Sequence, residues 1–560
     1  MNRSPALLAG LVAVAAAGAG SAQPPPSDPF PVAIRVDLEK PIGALAPIWR
    51  FFGGDEPNYA TMKDGRKLLS ALGELKPRSV YFRTHNLLNT GDGTPALKWG
   101  STNAYTEDAR GRPRYDWSVV DRIFDAYLER GVRPYVQIGF MPRALSTKPE
   151  PYQHEWRPGL PYGDIFTGWA HPPKDYAKWA DLVYEWVRHS IDRYGEAEVS
   201  TWYWETWNEA NIGYWQGTPE EFLKLHDHAV AAVRRALPKA RVGGPDMAGS
   251  DPKFLGAFLE HCRRSGTPLD FVAFHAKGAP SYVDGHVRMG IAAQLATIDR
   301  GFATVAAVPE LRRTPIVIGE SDPEGCAACQ GPQLAYRNGT MYSSYTAASF
   351  ARKHDLAAKH GVNLEGALTW AFEFEDQPYF AGFRALATNG IALPVLNVFR
   401  MFSKMGRARV AAESSAEVPL ETMLQEGVRG APDLAALASA EPGRANVMAW
   451  HYHDDDVPGP EAAVELAVAG LPETAAEAKL THHRIDANHS NAYAAWKRMG
   501  SPIAPSRGQY KELVAAAELS LMDAPRTLRL ENRTLTIRFT LPRQAVSLVT
   551  IEWQQLPARP

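Results

Sequence analysis

The sequence predicts an α/β fold, a (β/α)8 TIM barrel followed by an accessory C-terminal β-sandwich domain. Three observations carry this expectation. Short apolar runs alternate with amphipathic helical segments over about 350 residues, as repeated βα units require. Nearly every apolar run ends in polar side chains, which in a barrel gather on one face. After about residue 411 the pattern changes to alternation at period two, the mark of half-buried strands.

Taken in order, the first strand is expected at 32–38, ahead of the barrel. The eight barrel strands are expected at 48–52, 79–84, 132–140, 199–207, 241–244, 271–275, 315–318 and 367–372. Helical sequence lies between them; from Tyr176 to Val187, for example, apolar residues recur every three or four positions. A doubly wound sheet also fits the alternation, but no glycine-rich phosphate loop follows the first strand. The polar ends are Arg83 and His85, Gln137, Asn208 and Glu209, Asp246, His275 and Lys277, Glu320, and Glu373 through Asp376. Sandwich strands are expected at 445–452, 463–468, 527–530, 534–540 and 546–553, with helices at 492–498 and 509–519. The resulting division is a signal peptide at 1–22, an extension and strand joining the sandwich at 23–45, the barrel at 46–405 and the sandwich at 406–560.

Composition narrows the function. A formal net charge of -2 leaves no basic footprint for nucleic acid or an anionic membrane. Met1-Asn-Arg3 precedes a short apolar run and a small-residue site ending at Ala22, the form of an export signal cleaved near Ala22. No later run is long enough to span a bilayer, so a secreted or periplasmic protein is expected. Of 3 cysteines, Cys326 and Cys329 have redox or metal spacing, but no second CxxC or histidine cluster accompanies them, so a local loop-stapling disulfide is expected over a redox site, with Cys262 left as a free thiol. No ligand cluster accompanies them, and no metal or other cofactor is expected. Oligomeric state is not legible.

Glu209 lies in an aromatic-rich stretch, Thr201 to Asn211, where a carboxylic acid can be held protonated by its surroundings. Glu320 follows the seventh run, about 110 residues later, or three βα units on. Strand ends four and seven place both carboxylates over one barrel mouth, where one attacks an anomeric carbon and the other protonates the leaving oxygen. The same residues also fit a helix cap at Glu209 and a purely structural ion pair of Glu320 with Arg83 or Lys277. Trp370, at the end of the eighth run, suits either a sugar-stacking platform or the core.

Trp204-Glu-Thr-Trp-Asn-Glu-Ala-Asn211 resembles the acid/base motif of clan A retaining glycosidases, with Ala210 where proline is usual. Arg83-Thr-His85, Gly139-Phe-Met-Pro142, Gly243-Gly-Pro245 and Asp270 through His275 narrow the resemblance to glycoside hydrolase family 39. His483 through Asn491 and Trp496 through Pro502 resemble that family's C-terminal signature, so the likeness runs from about Trp49 to the end. The family contains β-xylosidases and α-L-iduronidases. The resemblance implies a retaining double displacement with Glu209 as acid/base and Glu320 as nucleophile. It implies Asn208 at the sugar 2-hydroxyl, with Arg83, His85 and His275 lining the −1 subsite.

Phe274 through Gly278 and Glu320-Ser-Asp-Pro323 look more like the iduronidase branch, in which Lys277 and Arg384 would hold a sugar carboxylate. Alternatively Lys277 pairs with Asp322 or Glu375 and leaves a neutral pocket. The expected activity is exo-hydrolysis of terminal β-D-xylosyl residues from xylo-oligosaccharides or related glycosides. The alternatives are a uronidase, an arabinose- or galactose-directed glycosidase, and a non-catalytic carbohydrate-binding protein. Asp376 is counted with Trp370 among the substrate contacts, and the Cys326–Cys329 loop as a shaper of the subsite rim.

Overall fold

The computed structural model describes residues 28–554. The expected export signal at 1–22 lies outside them. Barrel strands run Phe51–Gly54, Val80–Thr84, Val132–Gln137, Tyr203–Glu205, Arg241–Met247, Phe271–His275 and Pro315–Glu320, and the eighth is split into Asn363–Ala367 and Thr369–Trp370. All pair in parallel, and the cylinder closes where Thr369 and Trp370 pair with Phe52 and Gly53. One long helix follows each strand, from Lys63–Leu75 after the first to Pro394–Ser403 after the eighth. The alternation thus becomes a (β/α)8 barrel rather than a doubly wound sheet.

Two expected boundaries shift for local reasons. The fourth strand is only Tyr203–Glu205, because Glu196–Val199 is a helical turn and the chain leaves the sheet after Glu205. Its alternation explains the aromatic stretch: Trp202 and Trp204 pack outward among Trp186 and Phe124, while Tyr203 and Glu205 face the barrel interior. The eighth strand begins earlier than expected and breaks at Leu368, whose N–H donates to Ile318.

The barrel interior is layered. Phe51, Tyr81, Tyr135, Tyr203 and Phe271 form an aromatic floor, with Tyr81–Tyr203 and Tyr135–Tyr203 centroids 4.9 and 5.0 Å apart. Such contacts add to area burial. Gly366 belongs to this layer by necessity, since a Cβ there would enter the Phe51 ring. Above the floor the interior turns polar, starting with Arg83 and Glu205.

The helices outside are specified conventionally. Tyr176–Tyr194 is capped by Asp175, whose side chain accepts from the N–H groups of Ala177 and Lys178, and it buries Trp179, Leu182, Val183, Trp186 and Val187 on one face. Pro219–Ala236 starts with proline and a Thr218/Glu221 capping box.

Beyond Ser403, nine strands including Phe30–Ala44 form one antiparallel-rich sheet. Phe30–Ala44 lies between Ala408–Ser414 and Ala462–Ala469, tying the start of the described chain into the C-terminal sheet. Val447, Val549 and Ile551 share one buried cluster with Val32, Ile34, Val464 and Ile537, so the sheet folds over on itself as a sandwich. Strands Ala408–Ser414, Asp433–Glu441 and Glu477–Ile485 were not expected. Asp433–Glu441 is rich in alanine, which carries no strand signal; cross-strand pairing and burial supply what propensity does not. Helices occupy Ala492–Arg498 and Arg507–Ala517, with a further one at Leu420–Glu426.

The C-terminal signature residues build the junction between the two parts. Asp486 accepts from the N–H groups of Asn488 and His489, and Asn491 caps the helix Ala492–Arg498. Asn397 of the last barrel helix donates to the carbonyls of Ser490 and Ala517. Among the described residues no helix is long and apolar enough to cross a membrane.

Candidate active site

The barrel brings Arg83, His85, Asn208, Glu209, His275, Lys277 and Glu320 into one network at the C-terminal strand ends. Arg83 is its anchor. It is fully enclosed; Nε donates to Glu205 Oε2 at 2.5 Å, one Nη2 hydrogen goes to Asn208 Oδ1 at 2.9 Å, and the guanidinium also pairs with Asp246. A buried charge persists only where it is paired and hydrogen-bonded in this way.

Glu320 ends the seventh strand with a side chain only 6% exposed, and four cationic or polar nitrogens face it. Lys277 Nζ is 2.6 Å from Oε2, His275 Nδ1 is 3.8 Å from the same oxygen, and His85 Nε2 and Arg83 Nη1 lie 3.6 and 3.7 Å from Oε1. Burial alone would raise this carboxyl's pKa, but Lys277, His275, His85 and Arg83 outweigh it and hold the group well below the usual carboxylate range. Glu320 is therefore an ionised carboxylate pointing into the mouth.

Glu209 sits four residues past the fourth strand, with φ +46°, in the left-handed region that costs a non-glycine residue energy. Its N–H donates to the Asp246 carbonyl at 2.8 Å, which holds that conformation; Asp246 itself has φ +50°. The Glu209 carboxyl faces His275, with Oε1 2.8 Å from Nδ1. Its immediate partner is thus an imidazole rather than the tryptophans of its own strand, which point outward.

His275 binds Asp246 Oδ2 with Nε2 at 2.8 Å. Burial works against protonation, but Asp246, Glu320 and Glu209 together lift its pKa to about 10, so it is an imidazolium donating from both nitrogens. His85 is the opposite case. Burial lowers its pKa, Arg83 Nη1 donates to Nε2 at 3.2 Å, and Nδ1–H faces Asp55 Oδ1 at 3.1 Å. The two histidines of one mouth are thus shifted in opposite directions, His275 upward by its carboxylate neighbours and His85 downward by burial.

A scan against family models matches residues 32–534 to Glycosyl hydrolases family 39. The chain belongs to glycosyl hydrolase family 39. It is 26% identical over 497 residues to a beta-xylosidase of Geobacillus stearothermophilus, covering 84% of this chain and 86% of that one. It is 25% identical over 571 residues to an alpha-L-iduronidase of Mus musculus, covering 93% and 81% respectively. Among solved structures, a monomeric beta-xylosidase from Caulobacter crescentus CB15 superposes with TM-score 0.73 at 22% identity, covering 93% of this chain and 99% of that one. This last likeness concerns the fold. The protein is a glycoside hydrolase, and its substrate is a carbohydrate.

The remaining sequence-derived positions divide in this family 39 enzyme. Lys277 reaches the mouth, donating to Glu320 Oε2 and to Asp322 Oδ2 at 2.8 Å; Glu375 instead accepts from the N–H groups of Asp64 and Gly65 at 2.7 and 2.8 Å, away from Lys277. Trp370 is buried on the mouth floor, its ring centroid 4.3 Å from that of His85 and 5.2 Å from the Arg83 guanidinium carbon. Arg384 is fully buried behind Asp322, paired with Glu324 and donating Nε to the Trp370 carbonyl at 3.1 Å. Asp376 is exposed on a left-handed turn, and its side chain has no hydrogen-bond or ion-pair partner among the described residues. Cys326 and Cys329 are joined by a disulfide with Cα atoms 5.4 Å apart, and Cys262 is buried and free.

Asp55 and Lys98 were missed. Lys98 pairs with Asp55, which in turn orients His85, completing a chain from the rim to Glu320. Asp55 follows the first strand and Lys98 lies in the loop after the second, so it is the parallel pairing of those two strands that brings them together. Asp246 was read as a strand end but not as the hub it is, serving Arg83 and His275 at once.

Proposed function

We propose that this protein is a retaining exo-glycosidase that removes terminal β-D-xylosyl residues from xylo-oligosaccharides or related glycosides. The observation that carries the reading is that one imidazolium nitrogen, His275 Nδ1, faces both carboxylates, at 2.8 Å from Glu209 and 3.8 Å from Glu320. The two facing oxygens are then no farther apart than those lengths laid end to end. That upper bound takes in the close spacing of a double displacement, about 5–5.5 Å, and reaches only the lower edge of the about 6.5–9.5 Å that leaves room for an inverting water, which supports the retaining reading.

In the first step the ionised Glu320 attacks the anomeric carbon, the glycosidic C–O bond breaks, and Glu209 gives its proton to the departing oxygen. In the second, Glu209 takes a proton from water, whose oxygen displaces Glu320 from the anomeric carbon. Asn208 supports a 2-hydroxyl contact: its Oδ1 is engaged by Arg83, while its buried Nδ2 has no acceptor among the described residues.

The charge balance favours a neutral sugar. Lys277 is matched by Glu320 and Asp322, His275 and Arg83 by Asp246, and Arg384 by Glu324 and Asp322. No cation in this set is left for a uronate carboxylate. A uronidase is the second reading, favoured by Lys277, whose side chain is 17% exposed at the mouth with a third N–H beyond its two bonds. Export with cleavage near Ala22 belongs to the same proposal, supported by the leader-like sequence and tested by N-terminal sequencing of the secreted protein.

Aryl β-D-xyloside, α-L-arabinoside, β-D-galactoside and α-L-iduronide are the deciding substrates. Preference for the xyloside supports the first reading, and preference for the iduronide replaces it with the second. Equal release by wild type, Glu209→Gln and Glu320→Gln removes the catalytic assignment of these two residues, and release by none of the three leaves carbohydrate binding.

A further inference from the structure

Beside the network lies a cleft of about 490 Å³ that touches Glu209 but not Glu320. Its apolar walls are Ile212, Pro280, Leu334 and the Cys326–Cys329 disulfide, and Tyr162, Gln333 and Glu324 are its polar contributors besides Glu209. Glu209 hands its proton to the oxygen between the transferred sugar and the leaving group. A cavity that reaches the acid while missing the nucleophile is therefore on the leaving-group side. We propose that this cleft is the leaving-group subsite, and that it takes an uncharged group with a flat apolar face, an aromatic alcohol in preference to a second sugar. This rests on the glycosidase reading above.

Three features specify the ligand class. The volume is within the range of about 300–1,000 Å³ usual for small-ligand sites. Of the polar side chains on the walls, Tyr162 is engaged by Tyr214 and Glu324 by Tyr336, Arg337 and Arg384, which leaves Gln333 beside Glu209, whereas a second sugar would bring several hydroxyls that need partners. No lysine or arginine lines the cleft, and Glu324 on its wall is already matched by the buried Arg337 and Arg384, so the walls offer a negatively charged leaving group no free cation.

The wall is preformed. The loop carrying the disulfide wraps around the buried guanidinium of Arg337, which donates to the carbonyls of Cys326, Ala327, Cys329 and Gly382 and to Glu324. With its donors directed at the loop, Arg337 fixes the rim together with the disulfide. Ile212, on the opposite side, is 43% exposed although it is a large apolar residue next to the acid/base loop, a position where a bound apolar ring would cover it.

The test is a leaving-group series on whichever sugar the wild type cleaves. Its arms are a 2-naphthyl glycoside, a phenyl glycoside, the corresponding disaccharide, 4-carboxyphenyl and 4-carbamoylphenyl glycosides, and the glycosyl fluoride. Wild type is expected to favour naphthyl over phenyl through KM, and carbamoylphenyl over carboxyphenyl by about tenfold in kcat/KM. Ile212→Ser, at an exposed position, is expected to lower the naphthyl-to-fluoride ratio of kcat/KM about tenfold. An unchanged ratio together with equal naphthyl and phenyl KM overturns the subsite, as does a preference for the disaccharide or the carboxylate. Fluoride hydrolysis with no such discrimination sinks this inference alone; hydrolysis of none of the substrates removes the glycosidase reading and this inference with it.

Discussion

His275 Nδ1 stands 2.8 Å from Oε1 of Glu209. Because the same imidazolium ring is 3.8 Å from Glu320 and hydrogen-bonded to Asp246, the two carboxylates proposed to react are not independent. A proton moving at Glu209 changes the field at Glu320 through one shared, buried cation. The strand ends that supply this group are the fourth, fifth, sixth and seventh, which explains why the barrel itself, rather than any single loop, sets the chemistry.

The roles of the two glutamates separate on rescue. Glu209→Ala is expected to slow hydrolysis of glycosides with poor leaving groups by about 10²–10⁴-fold and to spare activated ones. Azide should restore turnover and give a glycosyl azide of retained configuration. Glu320→Ala should lose turnover on both kinds of substrate, and azide rescue there should give the inverted product. NMR of the azides reads the outcome, and an inverted product from Glu209→Ala would reverse the assignment.

Lys277 is the nearest cation to the carboxylate that must stay ionised. Removing it leaves the burial of Glu320 less opposed, so the carboxyl's pKa rises. The acid limb of the kcat/KM profile should therefore move to higher pH in Lys277→Met, by about 1–2 units, and return toward wild type in Lys277→Arg. Superimposable acid limbs for wild type and Lys277→Met would mean that Lys277 serves Asp322 alone. If a uronide is cleaved at all, its loss in Lys277→Met should exceed that of a neutral glycoside.

The barrel and its glutamate pair were legible because both depend on local pattern: apolar runs, polar ends and spacing. What was not legible depends on strand pairing across the sheet and on competition. His85 needs Asp55 and Lys98, which approach only when strand one meets strand two in the cylinder. Arg384 was expected beside the sugar, but Glu324 and Asp322 draw it inside. The aromatic setting of Glu209 misled in direction, since strand alternation sends Trp202 and Trp204 outward and leaves the carboxyl facing His275. Asp433–Glu441 carries alanines that favour helix, and only its long register with Arg444–Tyr452 makes it a strand.

Proton linkage at His275 gives a stability signature. Its pKa in the fold, about 10, exceeds the unfolded value of about 6.5. The stabilisation is therefore complete below about pH 6.5 and disappears as pH rises through about 10. The unfolding free-energy difference between wild type and His275→Gln, from urea titrations at pH 6, 8 and 10, should shrink steadily across that series. A difference that does not vary with pH would show that His275 is neutral in the fold.

Gly319 tests whether Asp246 is the hub. It precedes Glu320, the proposed nucleophile, on the seventh strand, and a Cβ there would overlap Asp246 Oδ1. Asp246 is buried, with a pKa held low by Arg83 and His275 against the opposing effect of burial. Moving its carboxylate leaves Arg83 and His275 without their shared partner, and breaking a buried pair costs about 3–5 kcal/mol. Gly319→Ala should therefore lose both stability and activity. In Gly319→Ala/Asp246→Ala the overlap is gone, so the double variant should be no less stable than Asp246→Ala alone, whereas activity should stay low because His275 is no longer held as an imidazolium. Thermal melts and kcat/KM for the three variants read the two effects separately. If the double variant regains activity, Asp246 does not organise the site, and Gly319 is small only to let the strands approach.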